Sequence, residues 1–228
     1  MRTAGDKVSV AGKVEKHIKI KICGMRDPDN IRTVAALRPD FLGFIEYARS
    51  PRFVGEYFRP PEVTPSISRV GVFVNQSLDV IKERVAFAGY DAVQLHGDET
   101  PDFCAQMRDE GLQVIKVFRI DDVFDFAETK AYLNKVDQFL FDARGKQPGG
   151  NGIRFDLRTL LRYDQQVPFF LSGGLQPETL AEDIMNLGEM NLYGVDMNSG
   201  VELEPAFKDP VRVGASIQYV RSTKLSKT

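Results

Sequence analysis

Four ionisable side chains finish apolar runs of the chain on one parity: Cys23, His96, Asp142 and Asp196. Residues two apart share a face of a β-strand, so Lys19, Lys21 and Cys23 lie opposite Ile18, Ile20 and Ile22. By the same count Gln94 travels with His96, Gln138 and Leu140 with Asp142, and Gly194 with Asp196. Their neighbours, such as Phe139, Phe141, Val93 and Leu95, are apolar and suited to packing against helices. A thiol and carboxylates facing one small substrate could exchange protons with it. Any one of them could equally be a helix cap or a satisfied core group, and a lone cysteine is more often a small buried hydrophobe. Four together, each entering a loop, favour a site.

A second signal sits in the loops that follow. Gly149-Gly150-Asn151-Gly152 comes after the sixth run, Ser172-Gly173-Gly174 after the seventh and Asn198-Ser199-Gly200 after the eighth. Glycines there let backbone N–H groups approach an anion, and the last two loops are the usual phosphate site of (β/α)8 enzymes. A glycine pair alone is usually a turn; in register at neighbouring strand ends, two are more specific.

The elements that must position these groups alternate regularly. Apolar runs at 18–23, 40–45, 69–74, 91–96, 113–119, 138–142, 167–172 and 192–196 are separated by helical patterns at 78–88, 101–110, 122–135, 155–163 and 177–187. Asp27-Pro28 caps a helix after the first run, and a helix over 211–220 closes the series. Eight βα repeats in so short a chain predict a single-domain (β/α)8 TIM barrel over residues 18–220. Pro51, Pro60, Pro61 and Pro65 interrupt the second unit, so its helix is expected to be short or irregular. Residues 1–17 read as a disordered extension and 221–228 as a flexible tail. The glycine-rich stretch 143–153 reads as a mobile lid beside Asp142.

Composition narrows the partner. With a net charge of −2 the chain offers no bulk basic surface for nucleic acid or anionic lipid. No apolar stretch is long enough to span a bilayer. Two cysteines without a CxxC and two histidines argue against a zinc site and a disulfide framework, and fit a reducing cytoplasm. The expected ligand is therefore a small phosphorylated molecule, with no metal and no cofactor motif. A monomer is expected, with a homodimer as the alternative.

Several segments together are specific: KICGM (21–25), FLGF and SPRFV (41–54), RVGVFVN (69–75), DAVQLHGDE (91–99), FDARG and GGNGIRFD (141–156), LSGGLQPE (171–178) and YGVDMNSGVE (193–202). In this order they resemble the phosphoribosylanthranilate isomerases of tryptophan biosynthesis. The resemblance implies an Amadori rearrangement of N-(5-phosphoribosyl)anthranilate to 1-(2-carboxyphenylamino)-1-deoxyribulose 5-phosphate, without a cofactor. It implies Cys23 as general base, Asp142 as general acid, Arg52 on the anthranilate carboxylate, and His96 and Asp196 at the substrate. Gly150, Gly152, Gly173, Gly174, Ser199 and Gly200 match phosphate-binding positions. The base must be close to thiolate, and Lys21, two residues back on the same face, is the local cation; a lysine buried in the barrel and paired with a carboxylate is the other reading of it.

The chain departs from the family pattern in three places: Glu46 stands for an aromatic residue, Leu157 for a tryptophan, and the pair Met197-Asn198 for Val-Ser. A related histidine-pathway phosphosugar isomerase would call for two phosphate sites and paired aspartates. A catalytically silent barrel that binds a phosphorylated metabolite would have no use for both Cys23 and Asp142.

Overall fold

The computed structural model describes residues 17–143, 156–188 and 190–223. Eight parallel strands, β1 (Lys19–Ile22), β2 (Phe41–Ile45), β3 (Ser68–Phe73), β4 (Ala92–Leu95), β5 (Gln113–Ile120), β6 (Gln138–Ala143), β7 (Phe169–Leu171) and β8 (Leu192–Met197), form a closed barrel in chain order. Closure is made by β8 on β1, which sets Lys19 beside Gly194 and Lys21 beside Asp196.

Period-2 alternation explains the two cores. Phe41, Val70, Ala92, Ile115, Val117, Leu140 and Phe170 fill the lower barrel, where Phe41 and Phe170 meet edge to face at 5.5 Å. Ile18, Ile20, Ile22, Phe44, Val93, Phe139 and Phe141 take the opposite parity and pack under the helices. Strand β8 escapes strict alternation. Leu192 and Val195 both lie in the outer core, although they are three apart, because the register shifts where β8 meets Phe169 and Phe170. The irregularity turns Tyr193 toward the inner cluster, 5.1 Å from Phe170.

The helices α1 (Pro28–Ala36), α2 (Leu78–Ala88), α3 (Pro101–Asp109), α4 (Leu180–Leu187) and α5 (Pro210–Ser222) cover the outside. Asp27, Ser77, Thr100 and Asp209 cap four of them with side-chain oxygens, and proline opens α1, α3 and α5. Three connections differ from expectation. The β2–β3 link carries no helix at all, only turns and a bridge between Ile45 and Phe53, as its four prolines require. Among the described residues, the links after β5 and β6 hold 3-10 turns, Phe126–Tyr132 and Leu157–Arg162, in place of α-helices. Their buried and packed residues recur every third position, Phe126 with Thr129 and Leu157 with Leu160, which suits three residues per turn. An unexpected hairpin, β9 (Glu202–Glu204) with β10 (Phe207–Lys208), follows a 3-10 turn at Ser199–Val201. The expected lid and most of the two terminal segments lie outside the described residues.

Candidate active site

Burial of Lys21 decides the architecture of the mouth. Its side chain is 0% exposed, and an ammonium left without a partner there would cost several kcal/mol. Asp196 supplies the partner at 2.9 Å, across the seam where β1 pairs with β8. The charge of Lys21 also acts on the neighbouring Cys23 thiol, so both sequence readings of this lysine hold together. Gly43 on β2 makes room for the pair: a Cβ at that position would lie 2.7 Å from Cys23 Sγ and 2.9 Å from Lys21 Nζ.

Burial pushes the Cys23 thiol above its ordinary value of 9.0, and Lys21 only partly offsets it. Burial therefore works against the expected near-thiolate, because dehydration of the anion outweighs one nearby cation. Burial likewise raises the Asp196 carboxyl against the pull of Lys21. Lys21 moves upward: burial opposes the shift, but the charges of Asp196 and Cys23 exceed it.

Asp142, on β6, faces His96 at the end of β4, with Nε2 3.4 Å from its Oδ2. The other ring nitrogen of His96 lies 3.3 Å from Gln94 Nε2. Asp142 and His96 both act electrostatically on Asp196, which places the thiol, the two carboxylates, the imidazole and Lys21 in one cluster. All are buried.

Arg52 reaches the same rim from the β2–β3 loop. A Cβ on Gly24, which follows Cys23 and has φ +73°, would touch Arg52 Cδ at 2.8 Å and Asn198 Oδ1 at 2.7 Å. The guanidinium is held by Glu202, whose carboxylate accepts from Nε at 2.9 and 3.1 Å and from the terminal NH2 at 2.7 Å. Lys208, fully buried, donates to the same carboxylate at 2.6 Å and to Asn198 Oδ1 at 2.8 Å. Burial brings the Lys208 ammonium down to about 8, while Glu202 stays below the usual glutamate range because Arg52 and Lys208 overcome its own burial.

The glycine loops serve packing as well as openness. Gly173 has φ +93°, and a Cβ there would meet the Ala143 backbone nitrogen at 2.5 Å. A Cβ on Gly200 would strike the Leu175 carbonyl oxygen. These contacts lock the loops after β7 and β8 together beside β6, and Gly174, with φ +65°, and Ser199 stand at the same rim. Gly150 and Gly152 lie outside the described residues.

The three departures are accounted for locally. Glu46 points away from the mouth and accepts from Arg84 at 2.8 and 3.0 Å and from the Tyr90 hydroxyl. Leu157 packs on the outer core. Met197 is buried in that core, and Asn198 is an acceptor for Lys208. Glu202 and Lys208 escaped the sequence reading because no strand pattern marks the short hairpin that carries them. The only signal for Glu202 was its place in the YGVDMNSGVE segment.

Acid–base groups at the carboxyl ends of β1, β4, β6 and β8, facing glycine loops after β7 and β8, define a (β/α)8 barrel of the enzymatic kind. A sequence profile described as N-(5'-phosphoribosyl)anthranilate (PRA) isomerase matches residues 20–219. An isomerase of that name from Parabacteroides distasonis is 43% identical over 205 residues, covering 88% of this chain and 92% of the relative. The counterpart from Phocaeicola vulgatus is 39% identical, covering 89% and 97%. The phosphoribosyl anthranilate isomerase structure from Thermotoga maritima superimposes with a TM-score of 0.76 at 29% identity, covering 89% of this chain and 98% of that one. A structure described as phosphoribosyl anthranilate isomerase in complex with reduced 1-(o-carboxyphenylamino)-1-deoxyribulose 5-phosphate gives 0.72 at 28% identity with the same coverage. The chain belongs to the N-(5'-phosphoribosyl)anthranilate isomerase family.

Proposed function

We propose that the mouth of the barrel carries out the Amadori rearrangement of N-(5'-phosphoribosyl)anthranilate with Asp142 as general acid and Cys23 as general base. The supporting observation is that these two side chains, one at the end of β1 and one on β6, are buried in one cluster with Lys21, His96 and Asp196.

Asp142 gives its proton to the furanose ring oxygen as the bond from that oxygen to C1 breaks, leaving an open-chain iminium. Cys23, as thiolate, takes the proton from C2, and the electron pair moves to neutralise the iminium as an enolamine. Tautomerisation places hydrogen on C1 and leaves a ketone at C2. The hydrogen lost at C2 is balanced by the one gained at C1, so the reaction needs no external electron donor. Lys21 stabilises the thiolate as it forms, and its link to Asp196 keeps the ammonium fixed beside the sulfur. His96 orients Asp142, and Asp196 also lies within reach of sugar hydroxyls.

Arg52 holds the anthranilate carboxylate, and the backbone of the loops containing Gly173, Gly174, Ser199 and Gly200 receives the phosphate, with Gly150 and Gly152 assigned by the family pattern. A cytoplasmic setting fits two free, buried cysteines, and no helix among the described residues is long and apolar enough to cross a membrane. Purified protein should consume N-(5'-phosphoribosyl)anthranilate generated in situ, read as loss of its fluorescence. A folded protein with no turnover above buffer would reduce the barrel to a binding module.

A further inference from the structure

The contacts around Arg52 go further than a carboxylate clamp. Glu202 occupies one edge of the guanidinium, Nε and one terminal nitrogen, with both of its oxygens. The other terminal nitrogen, NH1, has no hydrogen-bond partner among the described residues. Of the five N–H donors that an arginine offers, Glu202 therefore engages the edge formed by Nε and one terminal nitrogen, which leaves the NH1 donors for a second carboxylate.

Glu202 is itself over-determined. Its side chain is 6% exposed; Oε1 also accepts from Lys208 Nζ at 2.6 Å and from the Ala206 N–H at 3.1 Å. Ala206 has φ +70°, in the tight turn between β9 and β10 that carries this amide to the carboxylate. Lys208 in turn donates to Asn198, whose side chain packs over Gly24 beside Arg52 Cδ. Two buried cations against one carboxylate leave the cluster with one positive charge. An arginine on a proline-rich loop would otherwise carry considerable rotamer freedom, which binding would have to remove.

We propose that Glu202 is a positioning residue for substrate recognition: it holds the Arg52 guanidinium with its NH1 end toward the mouth, so that the substrate's aromatic carboxylate meets a preformed fork. Lys208 and the Ala206 amide fix Glu202, and the hairpin exists in this chain to deliver them. This rests on the reading of Arg52 as the carboxylate-binding residue.

Two ligands separate the possibilities: reduced 1-(o-carboxyphenylamino)-1-deoxyribulose 5-phosphate and the same compound without its ring carboxylate. Calorimetric affinities for both are measured in the wild type, Arg52→Ala, Glu202→Asp, Glu202→Gln and the Arg52→Ala/Glu202→Asp double variant. Glu202→Asp keeps the charge opposite Lys208 but is one methylene too short for the two-oxygen grip; it serves where Glu202→Gln fails to fold. Glu202→Asp is expected to weaken the carboxylated ligand at least about tenfold and the decarboxylated one less than about threefold, with KM rising more than kcat falls. In the Arg52→Ala background the same change should add little, because its effect passes through the missing guanidinium. Equal losses for both ligands in a folded Glu202→Asp protein, or undiminished losses without Arg52, would overturn the proposal. If Arg52→Ala itself spared the carboxylate preference, the assignment of Arg52 would fail first, and the inference with it.

Discussion

The thiol of Cys23 is asked to act as an anion in a place that disfavours anions. Burial raises it above 9.0 and Lys21 lowers it only in part. If the active form needs a thiolate together with a proton held elsewhere in the site, the rising thiolate fraction offsets the loss of that proton only until Cys23 is fully ionised, so the alkaline limb of the kcat/KM profile belongs to Cys23. The wild type should hold its activity to pH 9 and fall beyond it, and Cys23→Ser should lack that limb. A limb near pH 8 that survives in Cys23→Ser would instead belong to another group, such as Lys208 with its ammonium at about 8. At this scale the sequence was informative for types and poor for states. Parity placed Cys23, His96, Asp142 and Asp196 on the inner face, but it carried no information on how dry that face is, and dryness sets the thiol's proton.

Strand alternation was legible because the inner and outer cores have different compositions, and the βα rhythm was legible because each strand is short and apolar. The links after β5 and β6 were not: period three and period 3.6 are indistinguishable over two turns until packing selects one. Nor was the β9–β10 hairpin, whose strands are held by Glu202 and Lys208 and not by an apolar pattern. Gly43 shows how an element and a residue meet. Strand β2 crosses the site where Cys23 and Lys21 need its surface, and overpacking there would displace one of them. Gly43→Ala should lower kcat at least about tenfold and cost about 1–3 kcal/mol in denaturant unfolding. Unchanged kcat and midpoint would mean that the sulfur and the ammonium have slack that the structure does not show.

For the whole molecule, barrel closure is the central fact: β8 must find β1 across almost the full chain before Lys21 meets Asp196, so the site cannot exist in a partly folded protein. Among the described residues, large apolar side chains are exposed on separate elements, Tyr57, Val123, Leu161 and Met185 among them, with Leu203 and Phe207 together on the β9–β10 hairpin and Val211 and Tyr219 together on α5. We propose a monomer, whereas the Thermotoga maritima relative is described as dimeric. Light scattering should return about the chain mass of 25.6 kDa, and a value twice that would establish a dimer.

The pairing of Cys23 with Asp142 is the claim on which the rest depends. Turnover of N-(5'-phosphoribosyl)anthranilate by Cys23→Ser and by Asp142→Asn, each checked for native circular dichroism, tests it most directly. Each variant should retain substrate affinity and lose kcat by at least about 100-fold, the scale expected for a general base or acid. A folded Cys23→Ser or Asp142→Asn protein turning over within about threefold of wild type would contradict the assignment.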